Sequence, residues 1–123
     1  MSLIDTPLMD RLSRFLDVTS YRSGILAGNI ANIDTPGYHA RDVDFRSQLE
    51  ALSASQAEPM QPMQPMVTEV AGLVERPDGN NVNMDREGLA LGQTQLEFQS
   101  GVALLRSELH RLSAAIHEGA SQS

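Results

Sequence analysis

The sequence predicts a mainly α-helical fold, with long N- and C-terminal helices pairing as an antiparallel coiled-coil hairpin. An irregular, extended middle joins them, with room for a short strand or a short helix. Three observations carry this expectation. Apolar residues recur at alternating steps of four and three near both ends. Prolines at 59, 62 and 65 forbid a helix through the middle. Aromatic residues make up only 4% of the chain and tryptophan is absent, which leaves little to anchor a large globular core. The chain divides on this reading into 1–33, 34–81 and 82–123.

Thr6 is suited to cap the first helix, with Pro7 at the first helical position, where its missing N–H costs nothing, and Asp10 near the positive end of the helix dipole. Leu8, Leu12, Phe15, Thr19, Arg22, Leu26, Asn29 and Ile33 form one stripe, in which Thr19, Arg22 and Asn29 are polar interruptions. The helix has a readable stop. Thr35 precedes a proline and is pushed toward extended geometry, and Pro36-Gly37 fits the centre of a type II turn, where glycine takes the positive φ.

In the middle, Asp44 can cap a short helix whose Phe45, Leu49 and Leu52 share a face. The run EPMQPMQPM, 58–66, has the proline period of polyproline II. Its methionines could serve as soft-metal ligands, but a semi-rigid spacer is the simpler expectation. VTEVAGLVE, 67–75, suits a short strand or extended arm, and RPDGNN, 76–81, is a turn cluster.

The last helix carries the most regular pattern. Phe98, Val102, Leu105, Leu109, Leu112 and Ile116 step by four and three without a miss, and Leu91 lies one heptad before Phe98. Asn83 is the expected cap, Asp85 and Glu87 fall in the first turn, and Gly119 is the expected end. Gly88, Gly92 and Gly101 each weaken the helix by about 1 kcal/mol relative to alanine, yet small residues also let a neighbouring helix come close. A single hairpin has one seam. Leu16, Ile25, Ile30, Ala103 and Leu104 lie beside it and are expected to stay exposed in a monomer and to be covered by other subunits.

Charge and composition narrow the function. Nine basic and sixteen acidic residues give a net charge of −7, which disfavours phosphate backbones and anionic membranes alike. There is no cysteine, hence no disulfide or thiolate metal site. The N-terminal residues carry acid and no apolar run of signal-peptide length, so the expectation is a chain that stays in the cytosol or leaves it without a cleaved signal. His39, His110 and His117 lack metal-ligand spacing, and Asp42 with Asp44 has no scaffold for a glycosidase cleft. No enzyme, metal or cofactor is expected.

NIANIDTPGYHARDVDF, 29–45, resembles the N-terminal signature of the bacterial flagellar axial proteins, the rod, hook and hook-associated types: Ala-Asn, two residues, then Thr-Pro-Gly-Tyr at the end of the first helix. Ala31, Asn32, Thr35, Pro36, Gly37 and Tyr38 match it position by position. DGNNVNMDREG, 78–88, followed by LEFQSGVALL, 96–105, is similar to the C-terminal half of a short proximal-rod member, and the small middle region suits that type. Asn83, Gly88 and Phe98 stand where that pattern has Asp, Met and Tyr.

The resemblance implies a structural subunit, exported without signal cleavage by the flagellar type III apparatus, that folds as it adds to the periplasmic rod. Its paired helices would form the inner tube and the export channel wall and transmit torque, and the Thr35–Tyr38 turn would direct the chain outward. Implied partners are further copies of the chain, other rod proteins, the membrane-ring protein and the rod–ring adaptor, with no nucleic acid and no membrane insertion. Another short proximal-rod protein and a cytosolic helical export chaperone are the alternatives. A stable folded dimer in solution would mark the chaperone.

Overall fold

The computed structural model describes residues 6–44, 47 and 65–121. Its elements are α1 (Pro7–Ala31), β1 (Arg41–Val43), β2 (Val67–Glu69) and α2 (Met84–Ser121). At 1.5 Å per residue α1 is about 38 Å long and α2 about 57 Å.

Local chemistry sets the helix starts. The Thr6 hydroxyl accepts from Met9 N at 3.1 Å, with Pro7 behind it. Asn83 caps α2: its side-chain oxygen accepts from Arg86 N at 3.1 Å and its carbonyl from Glu87 N at 2.9 Å. At the end of α1, Asn32 N bonds back to Gly28 O and Asn29 O while its amide donates to Gly28 O at 2.8 Å, satisfying carbonyls the helix leaves open. The end expected at Gly119 is not found. α2 runs through it to Ser121, and the positive φ that a glycine stop needs occurs, among the described residues, at Gly37, Gly72 and Gly79.

The helices pair antiparallel in one register. Asn29 meets Glu87, Arg22 meets Thr94, and Phe15 meets Gly101, so seven residues back along α1 match seven forward along α2. Extended by that rule, Pro7 falls opposite residue 109, and α2, ending at Ser121, overruns the start of α1 by about twelve residues, or about 18 Å.

The two sides of the seam differ from the heptad expectation. On α1 the buried residues are Thr19, Leu26 and Asn29 of the stripe and Val18 beside it, so the supposed interruptions Thr19 and Asn29 are central; Leu12, Phe15, Arg22 and Ile33 are half-buried and Leu8 is exposed. On α2 the residues turned inward are Glu87, Ala90, Thr94, Gly101 and Glu108, with Leu91, Val102, Leu105 and Leu112 half-buried beside them. Phe98, Leu109 and Ile116 are 37%, 41% and 53% exposed, outside the intramolecular seam. The physical reason is pairing. Polar α1 residues need polar partners, which turns α2 so that Glu87 and Thr94 face inward and the apolar heptad lies along the edge. Of the flanking residues, Ala103 and Leu104 are exposed, whereas Leu16, Ile25 and Ile30 are half-buried rather than exposed.

Between the helices, β1 and β2 form an antiparallel pair with Arg41 opposite Glu69, Asp42 opposite Thr68 and Val43 opposite Val67. The strand expected within 67–75 occupies its first three residues. Asp44 accepts from Ser47 N at 3.3 Å and from the Ser47 hydroxyl at 2.7 Å, as a cap would. Phe45, Leu49 and Leu52, and Pro59 with Pro62, lie outside the described residues.

Candidate functional site

The site is built where α1 ends and α2 begins. Tyr38 N donates to Thr35 O at 3.2 Å and Gly37 has φ +76°, so Thr35-Pro36-Gly37-Tyr38 is a type II turn. Its entry is pinned by Asn32: Thr35 N donates to Asn32 O at 3.0 Å and the Thr35 hydroxyl to the Asn32 side-chain oxygen at 3.0 Å. A second turn, Arg76 to Gly79, closes with Gly79 N on Arg76 O at 2.8 Å.

The two turns form one clasp. Gly37 N donates to Asp78 O at 2.9 Å, Asn81 N to Tyr38 O at 3.2 Å, and Ala40 N to the Asn81 side chain at 2.7 Å. The wholly buried Asn80 amide donates to Asn32 O at 2.9 Å and Thr35 O at 2.8 Å and accepts from Val82 N at 2.8 Å. Arg76 adds bonds to the carbonyls of Val82, at 3.0 Å, and Ile33. The backbones come so close that a Cβ on Gly79 would sit 3.2 Å from the Gly37 Cα. The two sequence stretches singled out above, Ala31–Tyr38 and Asp78–Val82, are thus the two halves of one structure. Asn32, Thr35, Gly37 and Tyr38 bond across or within it, while Ala31 and Pro36 are exposed.

Beneath the clasp lies a polar centre. The buried Asn29 amide donates to Arg41 O at 2.7 Å and to Glu87 Oε2 at 3.0 Å; its oxygen accepts from the Tyr38 hydroxyl and from Arg41 N, each at 3.1 Å. All its hydrogen-bonding capacity is used. Glu87, also wholly buried, takes Arg86 Nη1 at 2.7 Å on its other oxygen. Asp42 binds Arg22 through both oxygens, at 2.9 and 3.1 Å, and Arg86 at 2.9 Å; Arg22 reaches on to the Thr94 hydroxyl at 3.3 Å. Burial pushes the Asp42 carboxyl up. The Arg22 guanidinium, the Val43 N–H and Arg86 outweigh it and hold Asp42 below its ordinary value. Arg22 is raised, first by that same hydrogen bond.

Further along the hairpin, the side chains of Phe15 and Leu16 lie directly against Gly101. A Cβ there would meet Leu16 Cδ2 at 2.8 Å and the Phe15 ring at 3.1 Å. At the outer edge of the sheet, the exposed His39 ring lies 3.0 Å from Glu75 and 3.4 Å from Glu69.

Sequence reasoning missed Arg22, Asp42, Arg86, Glu87 and Asn80 as a group. The available signal was that Thr19, Arg22 and Asn29 occupied seam positions, where polar residues require partners. Among the described residues no group of three or more His, Cys, Asp or Glu is placed to hold a metal ion, and no helix is long and apolar enough to cross a membrane.

No protein-family model matches the chain. The flagellar basal body rod protein FlgB of Salmonella typhimurium is 35% identical, with 91% of this chain and 99% of that protein aligned. The chain belongs to the FlgB family. FlgB of Yersinia enterocolitica and FlgB of Escherichia coli are each 31% identical over 85% of the chain, covering 89% and 88% of those proteins. The FlgB alignments therefore cover most of the chain, not the signature stretch alone.

Proposed function

We propose that the chain is a structural subunit of the flagellar basal body rod, with no catalytic role, placed in the proximal part of the rod. The observation that carries this reading is the clasp: the signature turn and the 78–82 turn lock the two terminal helices into one hairpin. Such a hairpin is a suitable wall element for a tube. Its edge residues Phe98, Leu109 and Ile116, with Leu8, remain exposed and would be covered by neighbouring rod subunits. A contact of this kind between unlike faces continues from subunit to subunit as a helical array. In the rod the paired helices would wall the export channel and transmit torque. The ring protein, the rod–ring adaptor and the next rod proteins would be the neighbours.

Export fits the composition. A hairpin whose buried side chains are as often polar as apolar gains little from burial alone and is suited to threading unfolded through a type III apparatus. The test is secretion. A tagged chain should leave the cytosol only in cells with a working flagellar export apparatus, its N-terminus uncleaved. A chain that stays cytosolic in cells making normal rods would favour the chaperone reading instead.

A further inference from the structure

The two helices supply only part of each other's polar partners: Asn29 meets Glu87 and Arg22 meets Thr94, and the rest come from elsewhere. Arg22 of α1 and Arg86 of α2 converge on one carboxylate, Asp42, which belongs to neither helix but to β1. Asn29 of α1 depends on the same short arm, through the Tyr38 hydroxyl and the backbone N–H and C=O of Arg41. If the helices closed with this arm displaced, Arg86 would keep Glu87, and Arg22 would keep only the Thr94 hydroxyl and the charges of Glu97 and Glu87, with no carboxylate hydrogen-bonded to it. Asn29 would keep Glu87 and lose three of its four bonds. The buried Asn29 and the half-buried Arg22, left in that state, oppose closure.

We propose that the arm of residues 38–43 is a conformational key: the helices pair only when it is seated between them, and its displacement opens the hairpin. The arm completes the polar partners of two helices that by themselves share the Asn29–Glu87 and Arg22–Thr94 bonds, and so holds them as a closed pair. It is tied in turn to the clasp, because Ala40 N and Tyr38 O bond Asn81. Opening is therefore concerted, with arm, clasp and helix pairing gained or lost together. An exported chain could stay open until its arm docks, whatever surface it later joins.

The chain has no cysteine, so two labels can be placed cleanly at the exposed Ser13 and Ser100 by Ser13→Cys and Ser100→Cys. Single-molecule energy transfer between them, on the full chain, reads the fraction of molecules with paired helices. Asp42→Asn keeps the arm's shape and removes the charge both arginines need, and should reduce the closed fraction about tenfold although residue 42 lies on neither helix. The triple variant Arg22→Leu/Asp42→Leu/Arg86→Leu removes all three charges at once and should restore closure to the parent level or above, as apolar replacements of buried ion triads can. A closed fraction unchanged by Asp42→Asn would overturn the proposal. So would a triple variant as open as the single one, since the loss would then not stem from unpaired charge.

Discussion

The Asn29 carboxamide donates to the Glu87 carboxylate at 3.0 Å, and neither side chain retains any contact with solvent. This pair joins the last turn of α1 to the first turn of α2 across 58 residues of sequence. Asn29→Ala leaves Glu87 and the Tyr38 hydroxyl short of a partner. It should cost about 2–4 kcal/mol, read by urea denaturation of the folded chain. An effect below about 0.5 kcal/mol would mean that the pair is not a support of the hairpin.

Gly37 has φ +76° and its N–H is bonded to Asp78 O. Valine resists that conformation, so Gly37→Val should break the clasp and block incorporation into rods more than it lowers solubility. Swimming assays on the mutant check this. Normal motility would count against the turn's role.

At Gly101 two effects oppose one another. Alanine gains about 1 kcal/mol of helix propensity, but its Cβ presses on Leu16 and Phe15. The Leu16 contact is with the far end of a side chain that can shift, so Gly101→Ala should stay within about 1 kcal/mol of the parent. Gly101→Leu has no such escape and should cost about 2–3 kcal/mol by forcing the helices apart. Thermal denaturation of both variants distinguishes the cases.

Leu105 and Leu109 differ in what they face. Leu105 is half-buried at the seam and Leu109 is exposed at its edge. Leu109→Asp should leave the circular dichroism of the free chain unchanged yet prevent its incorporation into rods, while Leu105→Asp should lower the helicity of the free chain as well. Rods assembled normally from the Leu109 variant would remove that edge from the assembly surface.

His39 is held above its usual 6.5, first by Glu75 and then by Glu69. Its contribution is therefore fully present below the ordinary histidine value and is lost as pH rises through the elevated one. Asp42 works in the opposite sense: held below 3.8, it contributes above the ordinary aspartate value and its contribution disappears as pH falls through the depressed one. Proton NMR titration of the His39 ring should give a midpoint above 6.5. Glu75→Gln should lower that midpoint.

Much of the frame was legible from sequence because its signals are local. Thr6-Pro7, Asn83 with its acidic first turn, and Thr35-Pro36-Gly37 act through neighbours a few residues away, and the helices start and stop where these predict. The seam was less legible. Counting apolar steps assigned Phe98, Leu109 and Ile116 to the interior, because heptad reasoning treats a polar seam residue as a defect. Here Asn29 and Glu87 are each other's reason for being buried, and no local pattern reveals a partner so distant in sequence. Gly119 failed as a stop for a related reason. A glycine ends a helix only where the chain turns into positive φ, and α2 continues through it toward Ser121.

Incorporation of this chain into the rod is itself measurable. Quantitative peptide mass spectrometry of hook–basal bodies purified from the source bacterium addresses it directly. Peptides of this chain should appear at an abundance comparable to other rod subunits and should be lost from preparations lacking the membrane ring. Finding the chain only in the soluble cytosolic fraction, with hook–basal bodies complete without it, would contradict a rod role.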